Sequence, residues 1–199
     1  LEPEALAAFQ IAAALGIALG SYAAGRLSRG RVELGLVPLG AIGLVVFSLD
    51  LAFAFRSPGR ALVDLFLLGA SGGCFSVPLA AFIQQRSPEK ERGRFIALGS
   101  LMSFIGVLTA SGLMWAWNAV FTLHPGQVFF VAALMTFVVA AAIVKLLPDF
   151  LLRLLLYPVS NGVYRIQAEG VENVPLEGPV LLVANHVSFV DAFLIGGAA

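Results

Sequence analysis

The chain has 199 residues, 59% of them hydrophobic and 12% charged, with a formal net charge of zero, and its mean hydropathy is +0.94. Soluble globular domains carry about a quarter charged residues, so that class is excluded, and the balanced charge offers no basic field to nucleic acid. The single cysteine, Cys74, lies inside an apolar run; a disulfide framework is excluded and the redox compartment stays open.

A helix needs roughly 20 apolar residues to cross a bilayer. Taken in chain order, five segments meet or approach that length: Ala5 to Ala24, Leu34 to Phe55, Ala61 to Ile83, Phe95 to Trp117, and Val128 to about Leu147. The first lacks the charged start and cleavage site of a signal peptide and is long enough to span. Basic residues divide unevenly between the gaps. Arg26, Arg29 and Arg31 fill the first gap, Arg86, Lys90, Arg92 and Arg94 the third, and Lys145 and Arg153 flank the end of the fifth span. Only Arg56 and Arg60 lie in the second gap, and the fourth has none, so alternate sides carry nine basic residues against two. The positive-inside rule then predicts a cytoplasmic location for the nine, an N-terminus outside, and everything after Leu147 in the cytoplasm.

Two small-xxx-small pairs predict close helix packing: Gly16 with Gly20, and Gly69 with Gly73 inside "GASGGCFSVP". Pro38 and Pro78 fall within spans and predict kinks, tolerated where neighbours satisfy the freed carbonyls. Asp50 and Asp64 are the acids within apolar runs, and an intramembrane acid is a functional candidate by default. Both lie close to the second gap, where Arg56 and Arg60 can pair with them or water can reach them, so the reading here is structural.

The first gap, "GRLSRGRVELG" from Gly25 to Gly35, resembles the loop signature of the major facilitator superfamily, in which Gly, small residues and spaced Arg link the second and third helices of each half. Arg29 departs from it, standing where that family usually has an acid. The span containing "GGCFSVPLAAFIQQ" resembles the matching helix of bacterial lysophospholipid transporters. The likeness covers Leu1 to about Leu147 and implies a transporter half with five of its six helices, cut after the first.

After Pro148 the pattern changes. "DFLLRLLLY", Asp149 to Tyr157, is too short to span before Pro158; it fits an interfacial segment and equally a continuation of the fifth helix. "VYRIQAEG" alternates as a short strand, "ENVPLEGP" supplies turn residues, and "VLLVA" reads as a buried strand. Asn185-His186 breaks it, and "SFVDAFLI" restarts as a helix. A strand, polar turn and helix in that order places reactive groups where α/β sheets commonly hold them.

The stretch "NHVSFVD" is similar to the N-H-x-S-x-x-D form of the His-x4-Asp signature of glycerolipid acyltransferases, and "GVENVPLEGPVLLVANH" to that family's approach to it. The resemblance implies His186 as the general base that takes the proton of a glycerol hydroxyl attacking an acyl thioester. It also implies Asp191 as the partner that sets the imidazole tautomer and steadies its charge. Imidazole titrates near neutrality and a carboxylate orients it, as the task requires. A structural alternative stands beside this: Ser188-x-x-Asp191 resembles a capping box that only starts a helix, with His186 a turn residue. Asn185 reads as a turn former, and His124, beside Pro125, as a solvated loop residue without a partner at metal-ligand spacing.

Together these expectations describe an α-helical membrane protein, a partial major facilitator half of five transmembrane helices over residues 1–147. The beginning of an α/β acyltransferase domain follows over 148–199. The resemblances imply a bacterial inner-membrane fusion that brings lysophospholipid to the inner leaflet and reacylates it there. Acyl carrier protein or coenzyme A would deliver the chain as a thioester co-substrate, with no cofactor or metal, and residues 1–199 alone would be inactive. Two further readings stay open: a solute or drug transporter with an inert appendage, and an acyltransferase merely tethered by its helices.

Overall fold

The computed structural model describes residues 3–28, 33–54, 57–120, 122 and 124–146. They form five helices: α1 (Pro3–Leu27), α2 (Leu36–Ala54), α3 (Pro58–Arg86), α4 (Arg92–Ala119) and α5 (Pro125–Leu146). All five are long and apolar enough to cross a membrane. The shortest, α2, has 19 residues. At 1.5 Å per residue it reaches about 28 Å, close to the thickness of a bilayer's hydrocarbon core. The expected spans are all present, most of them longer by a few residues. No strand occurs among the described residues, and the strand, turn and helix expected within 163–195 lie outside them.

Local chemistry accounts for the helix ends. Pro58 opens α3 directly after Ser57, whose backbone is extended (φ −112°, ψ 101°); a proline in the first turn sacrifices no helical hydrogen bond. At the far end Ser87 precedes Pro88, which disfavours helical backbone in the residue before it. Ser87 accordingly turns extended (φ −74°, ψ 133°), while its N–H still donates to the Ile83 carbonyl. Before α5, the His124 N–H donates to Gln127 Oε1 at 2.9 Å, which is the reach-back half of a capping box. His124 is exposed, as its loop position predicts. Some hydroxyls within the spans donate to carbonyls one turn back, as Ser71 does to Leu67 and Thr136 to Ala132, each at 2.8 Å.

The two prolines behave differently from each other. Pro38 stands in the first turn of α2, where its missing N–H has no helical partner to lose, so it breaks no hydrogen bond of that helix. Pro78 lies in the interior of α3, fully buried, and removes the bond to the Cys74 carbonyl, yet the helix runs on to Arg86.

The bundle is organised around α3, which packs on α1 and α2, while α2 also packs on α5. Contacts between α1 and α3 advance in the same direction along both chains. Gly16 faces Phe66 and Ala70, and Gly20 faces Ala70; in return Gly69 faces Ala13 and Ile17, and Gly73 faces Ile17 and Ser21. The two expected glycine pairs therefore meet each other. A methyl group at Gly16 or Gly20 would strike the carbonyl oxygen of Phe66 or Ala70, and one at Gly73 would lie 2.8 Å from the Ile17 carbonyl oxygen. Where lipid supplies no hydrophobic force between helices, such backbone approach is what holds them together. On the neighbouring face of α3, Gly40 of α2 sits against Phe75 and Ser71.

The fourth helix is peripheral. It touches α3 lightly, and every residue from Arg92 to Trp115 is exposed. None of the glycines Gly93, Gly99, Gly106 and Gly112 has a neighbour near its missing side chain. Successive helices run in opposite directions, so Arg26, Arg86, Lys90, Arg92, Arg94 and Lys145 gather at one end of the bundle and Arg60 stands at the other.

Candidate functional site

The residues that carry the acyltransferase expectation, His186 and Asp191, lie outside the described residues, as do Asn185 and Ser188. Features among the described residues that can carry chemistry or bind a ligand include a polar cluster at the α2–α3 junction and an apolar groove between α4 and α5.

The cluster consists of Asp50, Arg60 and Asp64. Asp50 lies one turn before the end of α2, and Arg60 and Asp64 lie one turn apart at the start of α3. The short connection between the helices folds these turns against one another. Arg60 donates from Nε to Asp50 Oδ2 at 3.1 Å and from Nη2 to Asp50 Oδ1, so the guanidinium grips one carboxylate with two donors. The pair is solvent-accessible, with the two side chains 55% and 32% exposed, and its worth as an exposed ion pair is small. Pairing of Arg60 with an acid is what the sequence predicts; Arg56, the other expected partner, lies outside the described residues.

Asp64 differs. It is 4% exposed, and its Oδ2 has no hydrogen-bond partner. The Asp64 carboxyl stands beside that of Asp50 and within electrostatic reach of Arg60. Its immediate neighbours cover Asp64 although it lies near the gap. The cover is local, because Asp64 is only two turns into α3. The two acids read alike in the sequence, and only the rotation of the folded helices separates them. Asp64 lies four residues from Arg60 on the face of α3 that packs inward, where its neighbour Ala61 is also buried.

The groove between α4 and α5 encloses about 520 Å³ and is lined by Leu113, Met114, Trp117, Phe129, Ala132 and Met135, among others. Sequence reasoning did not single it out, since a groove between two helices depends on how far apart they stand. Its lining is almost wholly apolar, and its size falls in the range of small-molecule sites, roughly 300–1,000 Å³.

Comparison of the chain with protein-family models, with curated proteins and with solved structures finds no match.

Proposed function

We propose that this chain belongs to a bacterial inner-membrane protein that moves lysophospholipid to the cytoplasmic leaflet and reacylates it. The observation that carries the reading is the run "VLLVANHVSFVD", in which an apolar run leads into Asn-His, and an Asp follows the His after four intervening residues. In the proposed reaction His186 accepts the proton of the lysolipid's glycerol hydroxyl as its oxygen attacks the acyl thioester carbonyl. The thiolate of acyl carrier protein or coenzyme A leaves and takes up the proton from the imidazolium. Asp191 holds the ring and offsets its transient charge. Five apolar helices with interlocked glycines support a packed bundle over a set of loose tethers, and the "GRLSRGRVELG" loop between α1 and α2 supports the major facilitator resemblance.

The activity is tested by supplying radiolabelled lysophospholipid and an acyl thioester to membranes containing the full-length protein. Diacyl product should form above the level of membranes lacking it, and no excess product would end the acyltransferase reading. The proposed orientation makes a separate prediction. In a Cys74→Ala background, a cysteine placed between 121 and 127 should react on intact cells with a membrane-impermeant maleimide, whereas one at Ser28 should stay unlabelled until the cells are opened. The basis is the nine-to-two division of basic residues. The reverse pattern would put the residues after α5 outside, away from acyl thioesters, and the proposed coupling would fail.

A further inference from the structure

The cluster at the α2–α3 junction has chemistry that acyl transfer does not use. Asp64 is buried, and one of its oxygens lacks any partner. A charge in that position is disfavoured unless a cation or a donor meets it. The nearest cation among the described residues, Arg60, already commits two donors to Asp50. The remaining neighbour is the Asp50 carboxyl itself, and two carboxylates side by side offer only acceptors to each other. A proton resolves the conflict, since it turns one acceptor into a donor and cancels one of two like charges.

Among the described residues, no other charged group competes for the role. On α1 no charged side chain falls between Glu4, which is exposed, and Arg26 at the opposite end of the bundle. On α2 Asp50 is the only charged residue, and on α4 Arg92 and Arg94 stand at the far end. Lys145 of α5 also lies at that far end, while His124 at the near end is exposed ahead of α5. A metal cation suits the cluster poorly. One of its two carboxylates is occupied, and the Arg60 charge opposes a second cation.

We propose that Asp64, together with the Asp50–Arg60 pair beside it, forms a proton-binding site at the junction of α2 and α3. With the proton bound, Asp64 is neutral, and Arg60 ties α3 to α2 through Asp50. When the proton leaves to water, the Asp64 carboxylate competes for Arg60, which stands one turn away on the same helix, the spacing at which side chains meet. Arg60 then has a partner on its own helix and a partner on α2. Occupancy by the proton decides between them and hence whether the α2–α3 tie is closed. Because α3 also carries the glycine contacts to α1, the site acts on the helix at the centre of the bundle. This inference stands independently of the lysolipid reading.

The test uses the protein reconstituted in lipid nanodiscs and follows carboxylic-acid carbonyl absorption by infrared difference spectroscopy across a pH titration. A protonated-carboxyl band should be present at neutral pH, vanish in Asp64→Asn, and titrate away at lower pH in Asp50→Asn, which removes the like charge and frees Arg60 for Asp64. In Arg60→Gln the band should persist to higher pH, because the cation that replaces the proton has been removed. Absence of the band at neutral pH, or its survival in Asp64→Asn, overturns the proposal. A second measurement needs no substitution. An apolar carbodiimide adds to a protonated carboxyl and rearranges to a stable N-acylurea, which peptide mass spectrometry locates. Modification of Asp64 at neutral pH, lost on raising the pH, supports the site. An unmodified Asp64, or one protected by sodium at constant pH, overturns it, and sodium protection would mark a metal-cation site in its place.

Discussion

Replacing Asp191 with Asn is expected to lower acyl transfer by roughly 10²–10⁴-fold in the full-length protein, the range typical for a lost acid–base partner. The substitution keeps the shape and hydrogen-bonding capacity of the side chain and removes its charge. If Asp191 served only to start a helix, Asn would substitute for it with little loss, since both accept hydrogen bonds there, and the stability cost would stay at or below about 0.5–2 kcal/mol. Acyl transfer would then persist. If the carboxylate orients and charges His186, activity falls although the protein stays folded. His186→Ala should fall at least as far, and the double variant little further, because residues that act as a unit are non-additive. Lysolipid uptake should survive all three changes, as residues 186 and 191 follow the last of the five helices. Near-normal acylation by a folded Asp191→Asn protein would return Asp191 to the capping role and leave His186 without a partner.

Equally large effects are expected at the α1–α3 contact. Gly20→Val and Gly73→Val should each abolish the monodisperse folded species in detergent, whereas Gly99→Ala and Gly106→Ala on α4 should leave the melting temperature within a few degrees of the parent. Two opposing terms decide this. A glycine inside a helix is worse than alanine by about 0.5–1 kcal/mol, which favours every one of these changes. Overpacking costs about 1–3 kcal/mol where side chains can move aside. At Gly20 and Gly73 the obstacles are the backbones of Ala70, Ile17 and Ser21. They cannot move aside unless the helices part, so the cost exceeds that range and consumes a large share of a stability of about 5–15 kcal/mol. At Gly99 and Gly106 nothing lies within 4 Å, and the propensity term alone remains. A Gly20→Val protein with the parent's melting temperature would show that the α1–α3 approach is looser than described.

Much of the helical frame is legible in local stretches of residues. The five spans follow from runs of apolar residues, and their ends from neighbours such as Ser87-Pro88 and Ser57-Pro58, because hydropathy and backbone restriction are properties of adjacent residues. The gathering of Arg26, Arg86, Arg92, Arg94 and Lys145 at one end follows as well, once consecutive spans alternate in direction. Gly16, Gly20, Gly69 and Gly73 announce close packing, and the pairing of Asp50 with a nearby arginine is anticipated from their spacing. Pro38 shows the limit of such reading. Its position relative to the first turn of α2 decides whether a kink forms, and that boundary depends on where the turn formed by Glu33 to Val37 closes.

The remaining features arise from approach between segments distant in the chain. No local pattern says that the glycine pair of α1 meets the glycine pair of α3, about 50 residues later, since either could have faced lipid or another helix. The same holds for Asp50 and Asp64. Both are single acids in apolar runs near the same turn, and the chain offers nothing to rank them. Folding rotates Asp64 into the contact between helices and leaves Asp50 at the rim with Arg60. Burial is a property of assembled helices, so the unpartnered oxygen that sets Asp64 apart exists only once α3 has packed on its neighbours.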